Sequence, residues 1–300
     1  MRVLVGTEDG LYEFGPAGHA RPHHHTGRAV TALGAEYPHI WAILDEQQVW
    51  RTDDEGGWNH KVTLEGLQAN CIADTRAGYA IGTSEAHLYR VVGDGLERVA
   101  SFDEVDGRSR WYTPWGGPPD SRSISEDGET VYVNVHVGGI VRTRDEGAMW
   151  EPTIDIDADV HRVWASDRGV FAASAWGLAV SQDRGDAWSF RTEGLEATYC
   201  RGVGLCGDTV LVSASNGPGG GRSAIYRGAQ AGGALQRCRD GLPEWFDDNI
   251  DSSCLDAVPD SGSAAFGTAD GRVFASEDEG ASWAEVVSGL PTIRCVLTIP

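Results

Sequence analysis

The sequence predicts an all-β chain, a seven-bladed β-propeller whose blades are four-stranded antiparallel sheets. Three observations point there. An eight-residue motif recurs, two neighbouring copies stand one blade's length apart, and forty glycines with eleven tryptophans in 300 residues imply many tight turns and large aromatic anchors. A fixed period of a few tens of residues is the mark of repeat architectures, and a four-stranded blade takes roughly 40–45 residues.

Residues 143–150 (TRDEGAMW), 181–188 (SQDRGDAW) and 276–283 (SEDEGASW) all read Ser/Thr-x-Asp-x-Gly-x-x-Trp. A fourth copy, 52–58 (TDDEGGW), lacks one residue before its tryptophan, and its aspartate is read as Asp54. In each copy the carboxylate (Asp54, Asp145, Asp183, Asp278) is expected to accept hydrogen bonds from the N–H groups of a tight turn. The glycine permits a backbone closed to other residues. The tryptophan (Trp58, Trp150, Trp188, Trp283) is expected to pack between neighbouring sheets. Each motif would then staple the hairpin joining the third and fourth strands of a blade, a structural role rather than a catalytic one.

Spacing sets the count. From Asp145 to Asp183 is 183 − 145 = 38 residues, about one blade. Around each motif the same order recurs: apolar run, turn, alternating strand, short turn, strand, motif, strand. This parses 30–62, 70–99, 122–153, 160–192, 200–238 and 252–287 as six blades. Residues 2–14 supply two or three further strands and 292–299 one more, so the two ends together make a seventh blade and leave no open sheet edge. Six blades is the alternative, if one weak copy is an insertion. The whole of 1–300 is expected to be a single domain.

The repeated motif resembles the Asp-box, or BNR, repeat of sialidases, other glycoside hydrolases, sorting receptors and photosystem assembly factors. The resemblance implies the propeller; function does not travel with fold. A sialidase needs three converging arginines, an acid aspartate and a tyrosine–glutamate nucleophile pair. Here Ala20-Arg21-Pro22 keeps only an Arg-Pro of the N-terminal arginine motif, and no arginine set maps residue by residue, so sialidase activity is not expected. The assembly-factor reading lacks that group's basic patch, although a protein-docking role survives.

Net charge is −21, from 45 acidic and 24 basic residues, and Lys61 is the one lysine. Such a surface repels nucleic acid and anionic membranes. It suits solubility in a salt-rich cytoplasm, as in a halophilic proteome. No run of 18 apolar residues is present and the N-terminal residues lead straight into strand-like sequence, so a cytoplasmic protein without a membrane span is expected. The six cysteines (71, 200, 206, 238, 254, 295) show no CxxC pair. They read as small buried thiols, with Cys71, Cys200, Cys254 and Cys295 in first strands of blades.

Loops longer than the repeat needs are where function concentrates. They are 101–120, with Trp111, Tyr112 and Trp115; the Gly-rich 216–222; and 242–251. The propeller fold places loops between blades on one face with the turns between second and third strands. That face would collect 101–120, 242–251, 155–161 and 135–139, and concave mouths of this kind favour small molecules. His136 and His161 fall on neighbouring blades and are the candidate catalytic residues. Together with nearby carboxylates they would bind one divalent metal ion, or act as general acid and base; each could equally satisfy a local backbone group. Trp111, Tyr112, Trp115, Arg122, Trp176, Asn249, Asp251 and Arg294 are the candidate substrate contacts. The loop with Trp111 and Trp115 reads either as a stacking platform for a sugar or aromatic ligand or as a hydrophobic lid.

Three other signals carry less. His23, His24 and His25 alternate sides in an extended segment and read as a solvated outer strand. Asp155, Asp157 and Asp159 alternate as strand residues do and read as a solvated acidic edge rather than a calcium site. The 217–221 glycines lack a lysine and a following helix, which excludes a phosphate loop. Two functions stay open: a hydrolase or lyase centred on His136 and His161 acting on a small molecule or glycan, and a non-catalytic scaffold for a protein partner on the same face.

Overall fold

The computed structural model describes residues 1–15, 21–36 and 38–300, so Ala20 of the Arg-Pro sequence lies outside the described residues, as does the His23 side chain. The chain is a seven-bladed β-propeller of seven four-stranded antiparallel sheets, and its helical segments are 3-10 turns of three to five residues. Seven blades, rather than six, are present. Among the described residues no helix is long and apolar enough to cross a membrane.

The first sheet holds β1 (Arg2–Thr7), β2 (Gly10–Phe14) and β3 (Arg21–His24). The second holds β4 (Val30–Glu36), β5 (His39–Leu44), β6 (Gln48–Thr52) and β7 (Trp58–Thr63); the third, β8 (Ala69–Thr75), β9 (Gly78–Thr83), β10 (Leu88–Val92) and β11 (Gly95–Arg98). The fourth holds β12 (Ser121–Asp127), β13 (Thr130–Val135), β14 (Gly139–Thr143) and β15 (Glu151–Pro152); the fifth, β16 (Val160–Ser166), β17 (Gly169–Ser174), β18 (Gly177–Ser181) and β19 (Ser189–Arg191). The sixth is β20 (Tyr199–Cys206), β21 (Thr209–Ser215), β22 (Ala224–Ala229) and β23 (Gln236–Arg237); the seventh, β24 (Leu255–Ala257), β25 (Ala264–Gly267), β26 (Val273–Ser276) and β27 (Ala284–Val287). The last strand, β28 (Ile293–Ile299), returns to the first sheet and pairs antiparallel with β1. Both chain ends therefore share one blade, as the leftover segments imply.

The chain divides into two compact units. One comprises Met1–Val30, Ala173–Ala179 and Phe190–Pro300; the other, Thr31–Ala172 and Val180–Ser189. The first unit's core is built on Phe246, Phe266, Phe274 and Trp283, with Phe266 stacked on Phe274 at 4.9 Å. In the second unit Phe102, Trp111 and Trp150 pack with the valines of β13. The six cysteines are buried and form no disulfide; Cys254 lies in a 3-10 turn just before β24 rather than in the strand.

The three full motif copies form one kind of turn, each between the third and fourth strands of its sheet. Asp145 Oδ1 accepts from Met149 N at 2.9 Å and from the Thr143 hydroxyl at 2.7 Å, while Gly147 N donates to that hydroxyl at 3.0 Å. Asp183 and Asp278 repeat this with Ala187 N and Ser282 N, both at 2.9 Å. The residue after each aspartate is left-handed (Glu146 φ 58, Arg184 φ 59, Glu279 φ 58), and the glycine continues the left-handed path, at φ +88 for Gly147. In the second unit that conformation turns a carbonyl toward the preceding blade, where an arginine caps it. Arg90 donates to the Glu146 carbonyl, and Arg142 donates to the Arg184 carbonyl and to Asp186.

The short fourth copy departs from this. There Asp53, not Asp54, accepts from Glu55 N at 3.0 Å and Gly57 N at 2.7 Å, and the Asp54 side chain is 94% exposed beside His39. The expectation for Asp54 is corrected: with a residue missing, the carboxylate four positions before the accepting N–H is one residue earlier. Trp150 and Trp283 are buried, against Phe102 and Phe266 respectively, whereas Trp58 and Trp188 are only half-buried.

Candidate functional site

The site lies within the second unit, where two sheets bring separate segments together. β13 ends at Val135, and His136-Val137-Gly138 turn into β14. The turn is tight, with Val137 at φ 45 and Gly139 at φ 74, and His136 N donates to the Asp120 carbonyl at 2.8 Å. His161 is the second residue of β16, on the next sheet. The two imidazoles are 1% and 0% exposed, with ring centroids 6.1 Å apart.

Asp159 sits between them. Its carboxylate lies 3.2 Å from His136 Nε2 through Oδ1 and 3.4 Å from His161 Nε2 through Oδ2. Local structure explains the placement. Residues Ile156–Ala158 form a 3-10 turn whose N-cap, Asp155, accepts from Asp157 N at 3.0 Å; Asp159 closes it in a left-handed conformation, φ 48 and ψ 71. Aspartate tolerates that conformation better than most residues. The expected strand-like alternation of Asp155, Asp157 and Asp159 is thereby corrected. The turn leaves Asp155 and Asp157 exposed and sends Asp159 to the histidines.

Burial by itself pushes the Asp159 carboxyl up, but the close approach of His136 and His161 outweighs it and holds the group far below the usual carboxylate range. The charged form is the one this environment selects. His136 Nδ1 is buried without a hydrogen-bond partner.

The donor atoms of His136, Asp159 and His161 all lie within 4.8 Å of one another. Metal–nitrogen and metal–oxygen bonds of about 2.0–2.2 Å require donors separated by about 3.0–3.5 Å. The two imidazole–carboxylate separations fall inside that window. Two imidazoles and one carboxylate form a donor set that suits zinc, manganese or iron, and three protein ligands leave coordination positions open.

The loop at 101–120 covers this group. Trp115, 67% exposed, lies over the His136 ring at 4.9 Å with a 35° tilt. Tyr112 is exposed and its N–H donates to the Val137 carbonyl at 3.3 Å. Trp111, read as a substrate contact, is instead buried, against Phe102 at 6.1 Å and beneath the Arg108 guanidinium at 4.9 Å. It anchors the loop from below. Arg122 stands 3.9 Å from the Asp120 carboxylate.

The remaining candidates belong to the first unit. Asn249 accepts from the Ser215 hydroxyl and donates to the carbonyls of Gly217 and Pro218, tying the 242–251 loop to the Gly-rich 216–222 loop. Asp251 pairs with Arg201, Arg294 lies 3.5 Å from Glu8, and Trp176 packs edge-on to Phe190 at 5.3 Å. His24 belongs to β3 and His25 follows it, with ring centroids 6.1 Å apart. Two grooves are lined by other residues altogether: one of about 440 Å³ by Met1, Phe14, Asp278 and Trp283 among others, and one of about 300 Å³ by Arg76, Glu126, Glu129 and Arg144 among others.

Sequence reasoning singled out both histidines but did not join Asp159 to them. Strand alternation could not have supplied that link, because Asp159 closes a 3-10 turn one residue before β16 begins.

No protein-family model matches the chain, and no curated protein matches its sequence. Solved structures match its fold. An ancestral GH74 enzyme superimposes with a TM-score of 0.66 at 12% identity, over 95% of this chain and 40% of that one, so the chain spans less than half of that enzyme. YCF48 bound to D1 peptide gives 0.58 at 15% identity over 95% of this chain and 84% of that one. YCF48 from Cyanidioschyzon merolae gives 0.61 at 14% identity, over 93% and 88%. At these identities the likeness is one of fold, shared by an enzyme and by a peptide-bound protein.

Proposed function

We propose that His136, Asp159 and His161 hold one divalent metal ion, and that the chain is a metal-assisted hydrolase or lyase acting on a small molecule or glycan. The observation that carries this reading is the convergence of three ligand side chains, from a hairpin turn, a 3-10 turn and a strand, with donor atoms within 4.8 Å of one another and both imidazole–carboxylate pairs at 3.2–3.4 Å. A bound ion of this class polarises a carbonyl or lowers the pKa of a water to near neutrality. Asp159 supplies the negative charge that offsets the cation, the histidines fix it from two sheets, and Trp115 offers an indole face to a substrate ring. The hydrogen bonding of the repeated turns supports assigning the chain to the Asp-box propellers, and six buried cysteines that form no disulfide support a reducing, cytoplasmic setting.

One observation favours a second reading, a protein-docking scaffold. Tyr112 and Trp115 stand exposed on one loop, as aromatic anchors of an interface do. Metal analysis separates the two. Purified protein, dialysed and then offered zinc, manganese or cobalt, should retain one ion per chain, and His136→Ala or His161→Ala should abolish retention. Protein that retains no ion at a severalfold excess of each metal, or that retains it equally in both variants, would end the metal reading in favour of the scaffold.

A further inference from the structure

His136 and His161 belong to different sheets, and no backbone ladder joins β13 to β16. Their separation therefore depends on packing and on side-chain bonds that cross between the sheets. Asn134 makes one such bond beside the site. It is fully buried, two residues before His136 on β13, and its Nδ2 donates to the Val160 carbonyl at 2.6 Å, immediately before His161. Its own orientation is fixed by the Ser123 hydroxyl, which donates to Asn134 Oδ1 at 2.9 Å and accepts from Val163 N at 2.9 Å. A serine, an asparagine and two backbone groups thus make a closed clamp from β12 and β13 to β16, flanking both histidines. Further along β16, Ser125 accepts from Ala165 N at 2.8 Å, a tie of the same kind set four residues beyond His161.

We infer that Asn134, oriented by Ser123, is a positioning residue that fixes the spacing of His136 and His161 about Asp159. The inference rests on the metal reading only for its affinity readout. A buried amide serves this purpose better than an apolar residue, because its two ends bond in set directions and an unmade bond in the interior is costly. Partners one step removed from metal ligands typically tune affinity by about 10–100-fold.

Cobalt is a suitable probe, since its visible absorption reports ligand geometry. Asn134→Ala should weaken cobalt binding at least tenfold and alter the absorption bands. Ser123→Ala should do so by a smaller factor, and Ser123→Thr, which keeps the hydroxyl, should bind within about twofold of the parent. Ser125→Ala is the control: it removes an inter-sheet tie away from the site, so it should lower the melting temperature without changing cobalt affinity. Should Asn134→Ala fail to fold, the Ser123 pair decides. Imidazole NMR signals of the metal-free protein give a second readout, expected to move for His136 and His161 in Asn134→Ala or Ser123→Ala but not in Ser125→Ala. Unchanged imidazole signals in the clamp variants, or equal changes in Ser125→Ala, would overturn the positioning role. A parent protein that binds no cobalt would instead remove the metal reading and leave the imidazole signals to decide the clamp.

Discussion

Asp159 carries an acid-range signature of its own. Its folded carboxyl lies below the unfolded value, so it contributes stability that is fully present above about pH 4 and is lost as pH falls through the folded value. Asp159→Asn keeps the size and removes the charge. In urea unfolding between pH 5 and pH 2.5 the variant should lose stability less steeply than the parent, and it should retain less cobalt at neutral pH. Parallel pH profiles would show that the carboxylate is not held charged by His136 and His161. Legibility at this scale was uneven. Two histidines on neighbouring blades could be paired from the repeat alone, because the period fixes which turn meets which strand. Asp159 could not, since its place depends on a 3-10 turn between two blades, where no repeat rule applies. Trp111 and Trp115 are four residues apart in one loop, yet one is buried and the other exposed; composition carries no information about which.

The repeated turns are each a local unit with one long-range contact. Within a turn the aspartate binds backbone N–H groups a few residues away, and the carboxylates of Asp145 and Asp183 are held below their usual range chiefly by the backbone N–H groups of Met149 and Ala187; for Asp278, held at about 2, the Ser282 hydroxyl contributes most. These groups are exposed, so solvent screens them and each contributes little. The long-range contact is different. The Arg142 side chain is 6% exposed and bonds at once to Glu151 and to the carbonyl of Arg184 on the next blade's turn. Hydrogen bonds of a charged group contribute about 1.5–3 kcal/mol. Arg142→Ala should therefore cost about 2 kcal/mol in chemical denaturation, more than Asp145→Ala. In the short copy, Asp53→Ala should lower the melting temperature while Asp54→Ala leaves it unchanged, and the reverse result would restore Asp54 as the turn's acceptor. The motif was legible here because its bonds are local in sequence. The arginine caps were not, since Arg90 and Arg142 reach turns 56 and 42 residues away.

At the scale of the molecule the blade count was legible because each sheet is nearly self-contained in sequence. Six sheets are built from consecutive strands, and only the first borrows a strand from the far end of the chain. That exception should also carry appreciable stability in a short segment. β28 pairs with β1 from Arg2 against Ile299 to Thr7 against Ile293, and it buries Ile293, Cys295, Val296 and Ile299. Burying an aliphatic side chain is worth about 1.5–3 kcal/mol, so the strand supplies about 6 kcal/mol or more, comparable with the whole stability of many domains, roughly 5–15 kcal/mol. Without it β1 would present a row of unpaired N–H and C=O groups, an edge prone to pairing with other chains. A chain truncated after residue 291 should therefore lose its cooperative melt or associate in sedimentation. Adding a peptide of residues 290–300 should restore the melt by refilling the edge. A truncated chain that stays monomeric and melts within a few degrees of the full-length protein would mean that the first sheet holds on three strands, and that its closure by β28 contributes little.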